Sequence, residues 1–163
     1  MLKRNIILSI LFLIISITFL TYSSPPEIEL SENTNNGGDL SSLKSISSIS
    51  NNILEESFIV VNLWASWCIP CIEEVEELKK ISNDKNYYVI GLLVDDSTEN
   101  GKEFIDDYSI KYENILNEDD VEYILTNFSW TGIPTSLILN LEYEIIHTFS
   151  GPVTYKMISE VSK

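Results

Sequence analysis

Soft metal ligands are scarce in this chain of 163 residues, which has two cysteines and one histidine. That excludes a small fold stapled by several disulfides and leaves too few thiols and imidazoles for a structural zinc site. Positive charge is also short, at 10 lysines and arginines against 25 acids, for a formal net charge of −15. Nucleic acid needs a basic face and anionic lipid attracts one, so neither partner fits the bulk of this sequence. What is present is apolar: 44% of residues are hydrophobic and 10% aromatic. The length allows one domain of ordinary size with something extra at an end.

The N-terminus supplies that extra. Lys3 and Arg4 precede an apolar run from Ile6 to Leu20 that only Ser9, Ser16 and Thr18 interrupt. As a helix this run spans roughly 22 Å, a little short of a bilayer core, and flanking residues can close the gap. A basic start followed by such a stretch is an export signal, and residues 1–22 are expected to stay as an anchor with the basic end inside. Thr21 and Ser23 also offer a fair cleavage site, which would release the chain instead; no cysteine near the run allows lipid attachment. Residues 23–45 turn to Ser, Asn, Gly and acids and read as a disordered tether, leaving 46–163 as the globular domain.

Within that domain Phe58 to Leu63 is a short apolar run rich in β-branched residues, the pattern of a buried strand. Ile69 to Ser82 reads as a helix, with Ile72, Val75, Leu78 and Ile81 spaced by three. Tyr87 to Val94 is a second buried strand, ended by Asp95-Asp96. Ser97 can cap a helix carrying Phe104, Ile105 and Tyr108, and Val121, Ile124, Leu125 and Phe128 mark another over Asp119 to Asn127. Gly132-Ile133-Pro134 breaks the chain before the strand Thr135 to Leu139, whose hairpin partner is Glu144 to Phe149. A helix from Thr154 to Val161 closes the domain. Strands alternating with helices predict an α/β fold, a central mixed sheet flanked by helices.

The chemistry concentrates at Trp67-Cys68-Ile69-Pro70-Cys71. A C-x-x-C pair between a buried strand and a helix start places Cys68 where free N–H groups and the helix dipole stabilise a thiolate. Cys68 is then the attacking thiol, and Cys71, one turn inside, can reach back to close a disulfide. Pro70 suits an early helical position, where its missing N–H costs nothing. Half a zinc site looks the same, but no second pair exists. A purely structural crosslink is the bland alternative, and so short a loop gains little from one.

The segment Val60-Val61-Asn62-Leu63-Trp64-Ala65-Ser66-Trp67-Cys68-Ile69-Pro70-Cys71 resembles the active-site segment of thioredoxin-fold proteins, and Thr131-Gly132-Ile133-Pro134-Thr135 resembles their cis-proline loop. The nearest likeness is to the TlpA/ResA-like branch of membrane-tethered thiol-disulfide oxidoreductases, and it extends from about Ile53 to the C-terminus. The resemblance implies a thioredoxin-like fold with an insertion of about twenty residues between the active-site helix and the cis-proline loop, similar to the extra strand and helix of that branch, which Asn114 to Phe128 would supply. It implies that Cys68 forms the mixed disulfide, that Cys71 resolves it, and that the pair cycles as a redox disulfide. It further implies that Pro134 is cis and faces the disulfide, that the Ile133 backbone pairs with a substrate strand, and that Trp67 and Pro70 flank the site, with a plain core tryptophan as the alternative for Trp67. Cytoplasmic thioredoxins bury an Asp where this chain has Asn62, a departure the TlpA/ResA-like branch shares.

A proton acceptor is suggested by the helix itself. At about 100° per residue, Glu74 alone among Glu73, Glu74, Glu76 and Glu77 shares the apolar arc with Cys71. The branch has a functional Glu at this offset, so Glu74 is expected to take the proton of Cys71, with its affinity raised by burial. The alternative is that Glu74 edges a solvated acidic face.

Ile69-Pro70 places no cation between the cysteines, and nearby glutamates oppose a thiolate. Both favour the disulfide and make the reduced form an electron donor, hence a reductase of exported disulfides. The resemblance adds a membrane thiol donor of the CcdA or DsbD type and, as targets, apocytochrome c or envelope enzymes. No cofactor and no metal are expected. Two alternatives stay open: an envelope disulfide oxidase or isomerase, and a copper-handling protein using both cysteines with His147. On its strand, His147 shares a face with Ile145 and Phe149, where a half-buried structural role is commoner.

Overall fold

A computed structural model of the chain describes residues 38–48 and 58–162. The expected anchor, residues 1–22, and the first part of the expected tether, 23–37, lie outside the described residues. The elements are α1 (Leu43–Ile46), β1 (Phe58–Trp64), α2 (Ile69–Ser82), β2 (Tyr87–Leu93), α3 (Thr98–Asp107), β3 (Glu113–Ile115), α4 (Glu118–Leu125), β4 (Thr135–Leu139), β5 (Ile145–Ser150) and α5 (Tyr155–Val161).

The five strands form one mixed sheet in the order β3-β2-β1-β4-β5. β1 runs parallel to β2, β2 parallel to β3, and β4 antiparallel to both β1 and β5. Because β1 lies in the middle and is covered on both faces, it is apolar at nearly every position rather than alternating. Its pleat still sorts side chains. Ile59, Val61 and Leu63 point to one face with Ile90, Leu92, Leu137 and Leu139, where Val121 and Ile124 of α4 cover them. Val60 points to the other face with Val89 and Ile138, under Leu78 and Ile81 of α2 and Ile158 of α5. Asn62 and Trp64 follow Val60 on the α2 face by the same period. That parity puts an amide of the central strand beneath the active-site helix.

The helix starts follow their caps. Ser97, Asn117 and Thr154 each accept a backbone N–H three residues on, from Asn100, Asp120 and Met157. These satisfy donors that the first turn leaves without partners. The insertion after β2 takes the expected form, a short strand (β3) and a helix (α4).

One expectation fails. The C-terminal part of the expected 23–45 tether is folded onto the domain, which therefore begins before Ile46. Asp39 bridges to Glu144, and the Leu40 N–H donates to the Tyr143 carbonyl at 3.0 Å. Leu40 and Leu43 are fully buried with Ile59, Val61, Leu137 and Leu139. Leu40 and Leu43, the second at the start of the one-turn helix α1, anchor the segment, and the polarity of the surrounding Ser, Asn and Gly concealed them. At roughly 2 kcal/mol for each buried leucine, their burial offsets part of the entropy of ordering the segment, and the hydrogen bonds to Tyr143 and Glu113 add to that offset.

Candidate active site

The site is assembled where the C-terminal end of β1 turns into α2. Cys68 has extended backbone and caps the helix, accepting the Cys71 N–H on its sulfur at 3.2 Å. Pro70 falls in the first turn, where it sacrifices no hydrogen bond. The two sulfurs are joined as a disulfide with Cα atoms 5.2 Å apart. Both cysteines are buried in a cluster with Trp64, Ala65, Val75, Leu93 and Phe104. In the reduced state the same N–H and the helix N-terminus would favour a thiolate on Cys68.

The turn before Cys68 is pinned from across the sheet. Asp96, in the loop after β2, accepts the Ser66 N–H at 2.8 Å and the Ser66 hydroxyl on one carboxylate oxygen, and the Ser97 N–H and Asn100 amide on the other. Partial burial works against its charge, but these donors prevail and hold the Asp96 carboxyl below its ordinary range. Asp95, at φ 51°, turns its carbonyl to accept the Trp67 indole N–H at 3.2 Å. Trp67 stays 60% exposed and Ile69 69% exposed, so an apolar rim surrounds the disulfide. A groove of about 810 Å³ opens beside this loop, lined by Asp95, Asp96, Leu116, Glu122, Leu125 and Trp130, among others.

The Ile133–Pro134 peptide bond is cis. Ile133 packs against the cluster that contains both cysteines, so the cis-proline segment borders the disulfide. Thr135, the first residue of β4, pairs with Leu63 of β1. The two motifs read from the sequence therefore sit on neighbouring strand ends.

Beneath Cys71 lies Glu74, buried with 1% exposure, whereas Glu73 and Glu76 are exposed and Glu77 is half-buried. Glu74 Oε1 accepts from Asn62 Nδ2 at 2.8 Å, and Oε2 accepts from the Val153 N–H at 2.8 Å. Asn62 Nδ2 also donates to Ser136 Oγ at 3.0 Å. Burial pushes the Glu74 carboxyl up to about 7, against the two hydrogen bonds, which favour the charged form. A carboxyl near neutrality can both accept and return a proton at working pH. Tyr112 is also held above its ordinary range by burial and by the Glu74 charge.

His147 is not brought to the cysteines. It pairs with Ile138, three residues down β5 from the end that meets Thr135, and its ring packs 4.3 Å from Phe149. The Val153 N–H, Ser136 and Asp96 went unnoticed in the sequence. A backbone donor leaves no side-chain signal, although Gly151-Pro152 marks the turn that supplies it.

A dithiol pair at a helix start, bordered by a cis-proline loop on a mixed sheet with helices on both faces, defines a thioredoxin-like protein. The chain belongs to the Redoxin family, whose model matches residues 33–163. It is 26% identical over 101 residues to the thiol:disulfide interchange protein CycY of Rhizobium leguminosarum bv. viciae, covering 62% of this chain and 54% of that protein. To the thiol-disulfide oxidoreductase ResA of Halalkalibacterium halodurans it is 22% identical over 110 residues, covering 66% and 61% of the two. The crystal structure of StoA from Bacillus subtilis superposes with a TM-score of 0.56 at 20% identity, over 68% of this chain and 85% of that one. The chain thus spans between half and two thirds of the length of these two curated relatives.

Proposed function

We propose that this protein is an extracytoplasmic thiol-disulfide oxidoreductase that reduces disulfides in exported proteins. The observation that carries the reading is the arrangement at Cys68, Cys71 and Glu74: a capped nucleophile, a resolving thiol one turn inside, and a buried carboxyl behind it. In the first step the Cys68 thiolate attacks a substrate sulfur, forming a mixed disulfide and releasing the other substrate sulfur as a thiolate. Glu74 then takes the proton of Cys71, whose thiolate attacks Cys68 Sγ. The Cys68–Cys71 disulfide forms, the second substrate thiol leaves, and two electrons have passed to the substrate. The Ile133 backbone and the apolar rim of Trp67, Ile69 and Pro70 are the seat for the substrate strand.

The direction rests on the residues between the cysteines. Ile69 and Pro70 give the Cys68 thiolate no cationic partner, and the surrounding charge is negative, so the disulfide is favoured and the dithiol donates readily. Returning the protein to its dithiol needs a second donor, for which a membrane thiol carrier of the CcdA or DsbD type fits a chain anchored by residues 1–22. The names of the relatives, a thiol:disulfide interchange protein and a thiol-disulfide oxidoreductase, support exchange chemistry. Apocytochrome c and envelope enzymes are the proposed targets. The test is turnover of a disulfide-bearing protein by the reduced chain: Cys68→Ser should abolish it, and Cys71→Ser should trap a mixed disulfide. Turnover that survives Cys68→Ser would refute the assignment.

A further inference from the structure

Both oxygens of Glu74 lead back to the same strand. Oε1 is held by Asn62, whose amide also donates to Ser136, two residues beyond Pro134 on β4. Oε2 is held by the Val153 N–H, and Val153 belongs to a turn whose Gly151 N–H donates to the Pro134 carbonyl at 2.8 Å. Gly151 has φ 103°, a conformation that side-chain-bearing residues adopt only under strain, so the turn that aims this N–H is fixed by glycine. Val153 and Ser136 are themselves buried, at 1% and 0% exposure, so water does not compete for these donors and acceptors.

We propose that the Gly151–Val153 turn and the Asn62–Ser136 pair are positioning groups that tie the Glu74 carboxylate to the cis-proline segment, so that the seat of the substrate strand and the proton acceptor form one hydrogen-bonded unit. This rests on the reading of Glu74 as the acceptor for Cys71 and extends it to residues that never touch substrate. Each donor favours the charged carboxylate, and so each keeps Glu74 from being trapped in its neutral form. The titratable groups facing Glu74 are few. Tyr112 approaches from the segment before β3, and Cys68 and Cys71 lie on its own helix and do not titrate while joined. The facing residues of β1, β4 and the turn are Asn62, Ser136 and Val153, none of them ionisable, and the charged side chains of α5, Lys156 and Glu160, are exposed.

The experiment follows the carboxyl 13C signal of Glu74 with pH in the oxidised full chain, assigned by its loss in Glu74→Gln. Val153→Pro deletes the N–H, Gly151→Ala strains the turn, and Asn62→Ala removes the donor to Oε1. The proposal predicts that the Glu74 midpoint rises in each folded variant, by about one pH unit for Val153→Pro. A merely structural role would lower stability and leave the midpoint where it was, and that result in the folded variants overturns the proposal. Should Val153→Pro fail to fold, Gly151→Ala and Asn62→Ala decide it. Turnover is assayed separately in the unmodified chain: no turnover there would sink the proposed function, while the titration would still be read.

Discussion

Replacing Glu74 by glutamine should change how stability depends on pH, because the carboxyl binds its proton more tightly in the fold than in the open chain. Its value rises from 4.5 to about 7 on folding, through burial. Below the lower value both states are protonated and Glu74 adds no pH dependence. Between the two the open chain ionises while the folded one keeps its proton, so stability falls as pH rises; above the upper value the whole penalty is present. A shift of this size corresponds to about 3 kcal/mol. Glutamine does not titrate, but it turns an N–H₂ toward either Asn62 or Val153, leaving one buried donor unpaired at a constant cost of about 1–3 kcal/mol. The variant should therefore be less stable than the parent near pH 4.5 and equal or more stable near pH 8.5. Denaturant unfolding of the oxidised full chain at fixed ionic strength reads this difference directly. Two parallel stability curves, offset by the same amount at every pH, would refute the claim that Glu74 is buried and near-neutral.

Other outcomes follow from the same geometry. Leu43→Ala should cost about 2–5 kcal/mol by equilibrium unfolding, since Leu43 is fully buried in the core; an effect under about 0.5 kcal/mol would mean that residues 40–46 are tether after all. Asp96→Ala should destabilise by about 1–3 kcal/mol and loosen the turn before Cys68, seen as greater mobility of Trp67 by fluorescence anisotropy, because Ser66 loses its acceptor. Trp67→Ala should leave stability within about 0.5 kcal/mol but raise KM for protein disulfides, as an exposed rim residue would; a large loss of stability would place it in the core instead. Asn62→Asp sets a second carboxyl against Glu74, so the pair should share one proton and the pH midpoint of turnover should move upward.

Much of the fold was legible because its signals are local. The apolar run of β1, the cap Ser97, and the break at Gly132-Ile133-Pro134 each act within a few residues. Glu74 was legible for the same reason, since helical periodicity alone places it beside Cys71. What stayed hidden acts across the chain. Leu40 and Leu43 sit in a stretch whose composition says tether, and only the apolar face of β1 and β4 gives them a place to bury. Asp96 read as the polar end of a strand, yet its partner Ser66 lies 30 residues earlier. The Val153 N–H that completes Glu74 is separated from it by 79 positions and carries no side-chain identity.

The central claim is that this chain is a dithiol donor working through Cys68 and Cys71, and its reduction potential tests that most directly. The full chain, not a fragment starting at Ile46, should be equilibrated against a thiol buffer, since Leu40 and Leu43 belong to the core. A potential near or below about −250 mV is the expected result for a reductase. A potential above about −180 mV would contradict the account and make the protein an oxidase or isomerase.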